Sequence, residues 1–269
     1  MLARDILAAM HLVAVVGGDP DLAHRLRGFQ DAGQRFLLHP IAPRPLPALT
    51  DALRTLDFAG AVVLDERSQH DAGAAAERGS LDVRELRAAD ALVITPAGVV
   101  TDLHLGRAIG AALRQRLWDP RGARAVVQGS DLCARAAARE LASLGVAHLC
   151  VIASDRPEAE RVTGLLAAAT STAALAEAEP AAQAMLERAD LVVRSSEAAT
   201  LPAHVLGPHL ALVDLVPGAL SPWRRRGLEV GALTIGALDV EAHRLQLALT
   251  SILGPGVALE PLMALVHDA

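Results

Sequence analysis

The stretch Val126 to Gly145, VVQGSDLCARAAARELASLG, reads as a buried strand, a tight turn and a helix. A dinucleotide-binding turn is laid out this way, with backbone N–H groups at the helix start aimed at a diphosphate and glycines that let the backbone come close. Only one of the expected glycines, Gly129, is present; Ser130, Asp131 and Leu132 follow it, and Arg135 lies one turn further on. Leu132 adds bulk and Asp131 adds negative charge where phosphate would sit. Ser130 or Asp131 can instead cap the helix and occupy its orphan N–H groups. The chemistry open to the chain is narrowed by three absences. There is no Lys, no Asn and no Tyr, and all 25 residues counted as Lys plus Arg are Arg. A mechanism that needs a lysine ammonium, an asparagine amide or a tyrosine hydroxyl cannot operate. Arginine does not replace lysine as an acid, because a guanidinium keeps its proton near neutrality. Cys133 and Cys150 are isolated thiols without a CxxC or a His at metal spacing, which predicts structural cysteines and no metal site.

These residues sit in a regular alternation of strand-like apolar runs and amphipathic segments, the pattern of α/β units around a mainly parallel sheet. HLVAVVG (11–17) leads into a helical stretch from Asp21 to Ala32; RFLLHPI (35–41) precedes a helix near 47–56; GAVVLD (60–65) precedes the helical AAAERG; DALVIT (90–95) ends at a Pro-Ala-Gly turn. DLHLGRAIGAALRQRLW (102–118) has helical spacing throughout, so Thr101 or Asp102 can be its N-cap. A second series follows, with strands RAVVQ (124–128), HLCVIAS (148–154), DLVVRS (190–195), LALVDLV (210–216) and LEVGAL (228–233), and a weaker one near 170–175. Residues 237–253 and 257–267 read as helices. The expected organisation is two domains: 1–101 together with 237–269, and 102–236.

The chain has 269 residues, 52% hydrophobic and 21% charged, which is globular and long enough for two modest domains. With a net charge of -6 and 2% aromatic residues, it lacks the basic tail and stacking surface of a nucleic-acid binder. Its longest basic run, Arg224-Arg225-Arg226, falls late in a helical segment, where it favours the helix C-terminus. No apolar run reaches the ~20 residues of a spanning helix, and Asp5 and His11 interrupt the apolar N-terminal section. A cytoplasmic protein with no membrane partner is expected.

Several short stretches, in order, resemble the shikimate dehydrogenase family over most of the chain. VVGGDP looks like that family's opening strand and Gly-Asp-Pro turn, and FAG before AVVLD like its Phe-x-Gly. GVVTDLHLG resembles its Asn-Thr-Asp segment, with Thr101 and Asp102 retained. QGSDLCARA aligns with its Gly-x-Gly-Gly-x-x-Arg-Ala turn, keeping Gly129, Arg135 and Ala136, and LALVDLVPGALSP resembles its Val-x-Asp-x-x-Tyr-x-Pro stretch. The resemblance implies an N-terminal substrate domain, a linking helix, a Rossmann-like doubly wound domain and returning C-terminal helices. It implies NAD or NADP as cofactor, and a small-molecule ligand of the shikimate type in an interdomain cleft. A monomer or homodimer is expected.

The departures fall where the chemistry should be. The family's serine-rich carboxylate site after Gly-Asp-Pro has no serine in GGDPDLAHRLRGF. The family's catalytic lysine falls at Ser68, or at Arg67 with a one-residue slip, and its substrate-holding asparagines fall near Val62 and Val100. Asp102 is what remains of the Lys-Asp pair. Alone it could act as general base, although an ordinary carboxylate, with a pKa of ~4, accepts a proton poorly from an alcohol. His104 and His70 are the nearby residues able to shuttle a proton; on a helix, however, positions i and i+2 face different ways, which would set His104 apart from Asp102. Asp155 aligns with the family's arginine for the NADP 2′-phosphate; an acidic residue there favours NAD, and the same aspartate can cap the helix beginning at Pro157. The expectation is an oxidoreductase-type fold whose ordinary shikimate oxidation is weak or absent. Two alternatives stand beside it: a dehydrogenase for a different substrate with Asp102 as base, and a non-catalytic binding or scaffold protein.

Overall fold

The computed structural model describes residues 10–18, 20–27, 29, 36–166, 170–217 and 220–267. They divide into two compact units, one running to His104 and resuming at Arg244, the other comprising Leu105–His243.

In the first unit β1 (His11–Val16), α1 (Pro20–Leu26), β2 (Phe36–Ile41), α2 (Leu46–Thr55), β3 (Phe58–Val63), α3 (Glu66–Ala74), β4 (Arg78–Gly79), α4 (Leu81–Leu86), β5 (Ala91–Thr95) and β6 (Gly98–Asp102) build a six-stranded sheet in the order β2-β1-β3-β5-β6-β4. β1 pairs in parallel with β2 and β3, as β4 does with β6, while β5 runs antiparallel to both β3 and β6. The antiparallel hairpin was not expected. Gly98, at φ +124°, reverses the chain after Thr95, and Thr95 Oγ1 donates to the Gly98 carbonyl at 2.7 Å. Once the turn closes, the β-branched run Val99-Val100-Thr101 continues as a strand. Thr101 and Asp102 therefore end a strand instead of starting a helix, and the following helix begins at Leu105. Its His104 N–H is taken by Asp90, so the expectation that Thr101 or Asp102 caps it is corrected. The helix placed over AAAERG is also shifted: it covers Glu66–Ala74, because Asp65 caps it early by accepting from Ser68 N at 2.8 Å.

The second unit contains α5 (Leu105–Gln115), β7 (Arg124–Gln128), α6 (Leu132–Ser143), β8 (His148–Ala153), α7 (Arg156–Thr163), β9 (Ser171–Ala176), α8 (Pro180–Glu187), β10 (Leu191–Arg194), β11 (Ala211–Asp214), α9 (Pro222–Glu229) and β12 (Leu233–Gly236). Its sheet is parallel throughout, ordered β12-β11-β10-β7-β8-β9. β10 and β11 are wholly buried and β7 is buried after its exposed first residue, Arg124, as expected for parallel strands covered on both faces. The strand placed over LEVGAL starts later: Ser221 caps α9 through Arg224 N, the helix runs to Glu229, and only Leu233–Gly236 is extended. Two helices close the chain, α10 (Ala237–Leu253) and α11 (Glu260–His267). The far end of the helix expected over Asp21–Ala32, and Asp19 of the Gly-Asp-Pro turn, lie outside the described residues. Cys150 is buried, and burial pushes its thiol up to about 11; Cys133 is partly buried. Among the described residues no helix is long and apolar enough to cross a membrane, and no His/Cys/Asp/Glu group is arranged to hold a metal ion.

Candidate functional site

The strand order of the second sheet reverses at β7: β8 lies on one side of it and β10 on the other. Ligands of doubly wound sheets bind at the carboxyl ends of the strands at such a switch point. Here that edge is built to satisfy itself. Asp131 is the N-cap of α6, its Oδ1 accepting from Ala134 N at 2.8 Å. Arg135, one turn into the helix, points its Nε at the Asp131 carbonyl, 3.3 Å away. Ser130 donates to Glu158 Oε2 at 3.0 Å, and Ser154 donates to the same oxygen at 2.8 Å. Asp155 caps α7 through Glu158 N at 2.8 Å. Three carboxylates, Asp131, Asp155 and Glu158, thus gather at the helix starts that follow β7 and β8. Of the neighbouring cations, Arg156 is committed to Glu179, and Arg161 lies 3.6 Å from Glu158. The Ala176 N–H and the Arg156 guanidinium hold the Glu179 carboxyl below the usual carboxylate range. Leu132 is 1% exposed and belongs to the core, so the leucine bulk expected at the turn from the sequence is turned inward, and Asp131 is the residue that stands at the helix start.

Gly129 has a local reason to be glycine. Its φ is +132°, and a Cβ there would lie 2.2 Å from Ser195 Oγ. The segment after β10 is held against this turn by buried polar groups aligned across the sheet. Gln128, Arg194 and Asp214 are register partners on β7, β10 and β11. Gln128 Nε2 donates to the Thr200 carbonyl at 2.9 Å, while Arg194 donates to the carbonyls of Glu197 and Ala199 and to Asp214 Oδ1. Ser221 completes the network by donating to Asp214 Oδ2. Gly129→Ala is accordingly expected to cost about 3 kcal/mol, from the unfavourable φ together with the clash. Urea unfolding of the two proteins measures it; equal midpoints would show that the Ser195 segment yields freely.

In the first unit, Asp102 ends β6. Its Oδ1 accepts from Leu103 N at 2.8 Å, and its Oδ2 lies 3.4 Å from His104 Nε2. The sequence had set His104 apart from Asp102 by helical spacing; because the helix starts only at Leu105, the two side chains meet. His104 is 1% exposed, neither a surface histidine nor one turned away. Its ring is fixed by Asp90, which is fully buried and lies 2.8 Å from Nδ1, while Ser251 Oγ of α10 is 2.7 Å from Nε2. Asp90 and Ser251 escaped sequence reasoning because they lie 14 and 147 residues from His104 and no local motif joins them.

Arg67 and Ser68 lie in the first turn of α3 and line a groove with Arg44, Asp65 and Asp71, whereas Asp102 lines another with Arg78, Ser80 and Arg84. Ser68 N is taken by Asp65. Val62, at the position of a family asparagine, is wholly buried in the core, and Val100 is half-buried beside Asp102. His70, on α3, is tied to the Arg87 carbonyl.

No protein-family model and no curated protein sequence matches the chain. Solved structures do. The ligand-free 5-ketofructose reductase of a Gluconobacter species superposes with a TM-score of 0.82 at 17% identity, over 96% of this chain and 98% of that one. Shikimate dehydrogenase from Mycobacterium tuberculosis matches with a TM-score of 0.78 at 20% identity, over 96% and 100%. Quinate dehydrogenase from Corynebacterium glutamicum, solved in complex with NAD, matches with a TM-score of 0.81 at 15% identity, over 97% and 99%. The chain has the two-domain α/β fold of shikimate dehydrogenase-like proteins. Fold alone does not carry activity.

Proposed function

We propose that this chain is a shikimate-dehydrogenase-like protein of the NAD(P)-dependent oxidoreductase class in which ordinary shikimate oxidation is weak or absent, and that the start of α6 does not take a dinucleotide in the usual way. One observation carries the reading: the Asp131 carboxylate occupies the helix N–H group that a diphosphate would use. The same device recurs at Asp65 and Asp155. The residues present do not fit NAD or NADP at this turn, since a dianionic linkage would meet Asp131 with Asp155 and Glu158 close by. The reaction lacks its proton carrier too, because no lysine exists to fill the place of Arg67 or Ser68.

A second reading is favoured by the contact between His104 and Asp102. A dehydrogenase for a different small molecule would use Asp102 as base with His104 beside it, and would bind NAD by another route, with Asp155 disfavouring a 2′-phosphate.

Melting the protein over a titration of NAD and of NADP separates the two. A ligand at a hundred times its Kd adds about 2.7 kcal/mol, a shift of several degrees. The expected result is no shift with either dinucleotide at millimolar concentration, and no NADP reduction with shikimate at high protein concentration. A saturable shift with NAD supports the second reading. Shikimate turnover in the ordinary range of ~1–10³ s⁻¹ sinks both.

A further inference from the structure

We infer that Ser251 is an activated nucleophile, the reactive end of a buried Asp90–His104–Ser251 relay that takes an acyl group from a small, uncharged carboxylic ester. The inference does not depend on whether a dinucleotide binds. Its groups all lie in the first unit.

The direction of the relay follows from its acceptors. Asp90 is fully buried and takes both the backbone N–H of His104, at 2.8 and 2.9 Å, and the ring Nδ1, at 2.8 Å. An ionised carboxylate only accepts, so in the neutral ring beside an ionised Asp90 it is Nδ1 that carries the proton and Nε2 that presents its lone pair. Ser251 Oγ, 2.7 Å from Nε2, is then the donor. This is the arrangement of a nucleophile hydrogen-bonded to a base that a third group orients. A further carboxylate, Asp102 Oδ2, stands 3.4 Å from the same Nε2. The docking of α10 makes the arrangement possible. Gly60 on β3 has no side chain, and a Cβ there would lie 2.9 Å from Ile252, so the helix can lie close enough to set Ser251 beside His104.

A purely packing contact would be closed to solvent. This one opens: Ser251 is exposed, and with Asp102 it lines a groove of about 700 Å³. Arg78 and Arg84 in that groove are balanced by Glu77 and Asp102, hence the uncharged substrate. In the reaction Ser251 Oγ passes its proton to His104 Nε2 and bonds to the ester carbonyl carbon. The carbon–oxygen bond to the alcohol breaks, and the departing alkoxide takes the proton from Nε2. Water then adds to the acyl-serine, its proton again passing through Nε2 to Ser251 Oγ as the carboxylic acid leaves.

The full chain incubated with p-nitrophenyl acetate and analysed by peptide mass spectrometry tests this. Positioned general-base assistance is worth about 10²–10⁴-fold. Ser251 should therefore acetylate roughly a hundredfold faster than Ser143, an exposed serine of the same molecule whose hydroxyl donates to the Glu140 carbonyl. Ser251→Ala should remove the protein-dependent release of p-nitrophenol. Acetylation of Ser251 no faster than of Ser143 overturns the inference, and because both rates are read in the wild-type chain this comparison requires no variant to fold. A fast Ser251 rate that persists in a folded His104→Gln protein overturns it as well.

Discussion

Asp131→Ser is expected to raise the affinity for NAD or NADP by about a hundredfold or more. Serine is as good an N-cap as aspartate, so α6 keeps its start and the substitution removes only the charge. Like charges ~4 Å apart repel by roughly 4 kcal/mol at an effective dielectric of ~20. Salt screening at a partly exposed site trims this, and about 1.4 kcal/mol corresponds to each factor of ten. Isothermal titration of the wild-type and variant proteins with both dinucleotides measures the difference. An unchanged affinity would move the obstacle elsewhere, to Glu158 and Asp155 or to the segment after β10. Asp131→Gly serves as a companion: it restores a family glycine and costs only a few tenths of a kcal/mol as a cap.

Arg194→Ala is expected to be the most destabilising single change, by about 3–5 kcal/mol. Its side chain is 7% exposed and that of its partner Asp214 is 1% exposed. The guanidinium also holds the carbonyls of Glu197 and Ala199. Removing it leaves a buried carboxylate without its counter-charge and releases the segment packed on Gly129. At ~2–4 °C per kcal/mol for a domain of this size, the apparent melting temperature should fall by roughly 10 °C. The double variant Arg194→Met with Asp214→Leu should recover much of that loss, since exchanging both partners for apolar groups removes the desolvation cost together with the attraction. A drop of less than about 1 °C for Arg194→Ala, well under the ~2–4 °C per kcal/mol scale, would show that the pair is incidental to the second unit.

The fold was largely legible. RAVVQ at 124–128 and the helix at 237–253 have the bounds read from periodicity alone. Errors came where one hydrogen bond outweighs periodicity. Asp65 starts its helix several residues before the apolar pattern does, and Gly98 turns what looked like the approach to a helix into a strand. Both carry local signals that were available: in Asp65-Glu66-Arg67-Ser68 the cap residue lies three before the N–H it accepts from, and a glycine between two β-branched runs marks a hairpin. The candidate site was legible in part. An aspartate cap in place of phosphate was readable at Ser130-Asp131 because capping joins residues three apart. Glu158, which collects both Ser130 and Ser154, was not, because that contact depends on how closely α7 lies to α6.

By itself, the sequence determined the order of strands and helices outside the β4 and β6 segments, the α/β class, and the exclusion of lysine, asparagine and tyrosine chemistry. Those properties follow from side-chain type and from the local partition between core and solvent, which periodicity records. The tertiary structure alone decided which polar groups meet. Asp90, His104 and Ser251 come from a strand start, the approach to a helix and the returning helix α10. Their convergence depends on sheet register and on the close approach permitted at Gly60. The same holds for Arg194 and Asp214, 20 residues apart and joined because β10 and β11 are in register. Short-range patterns carry no record of such pairs, because a buried donor requires only that some acceptor reach it, and which one does is set by packing.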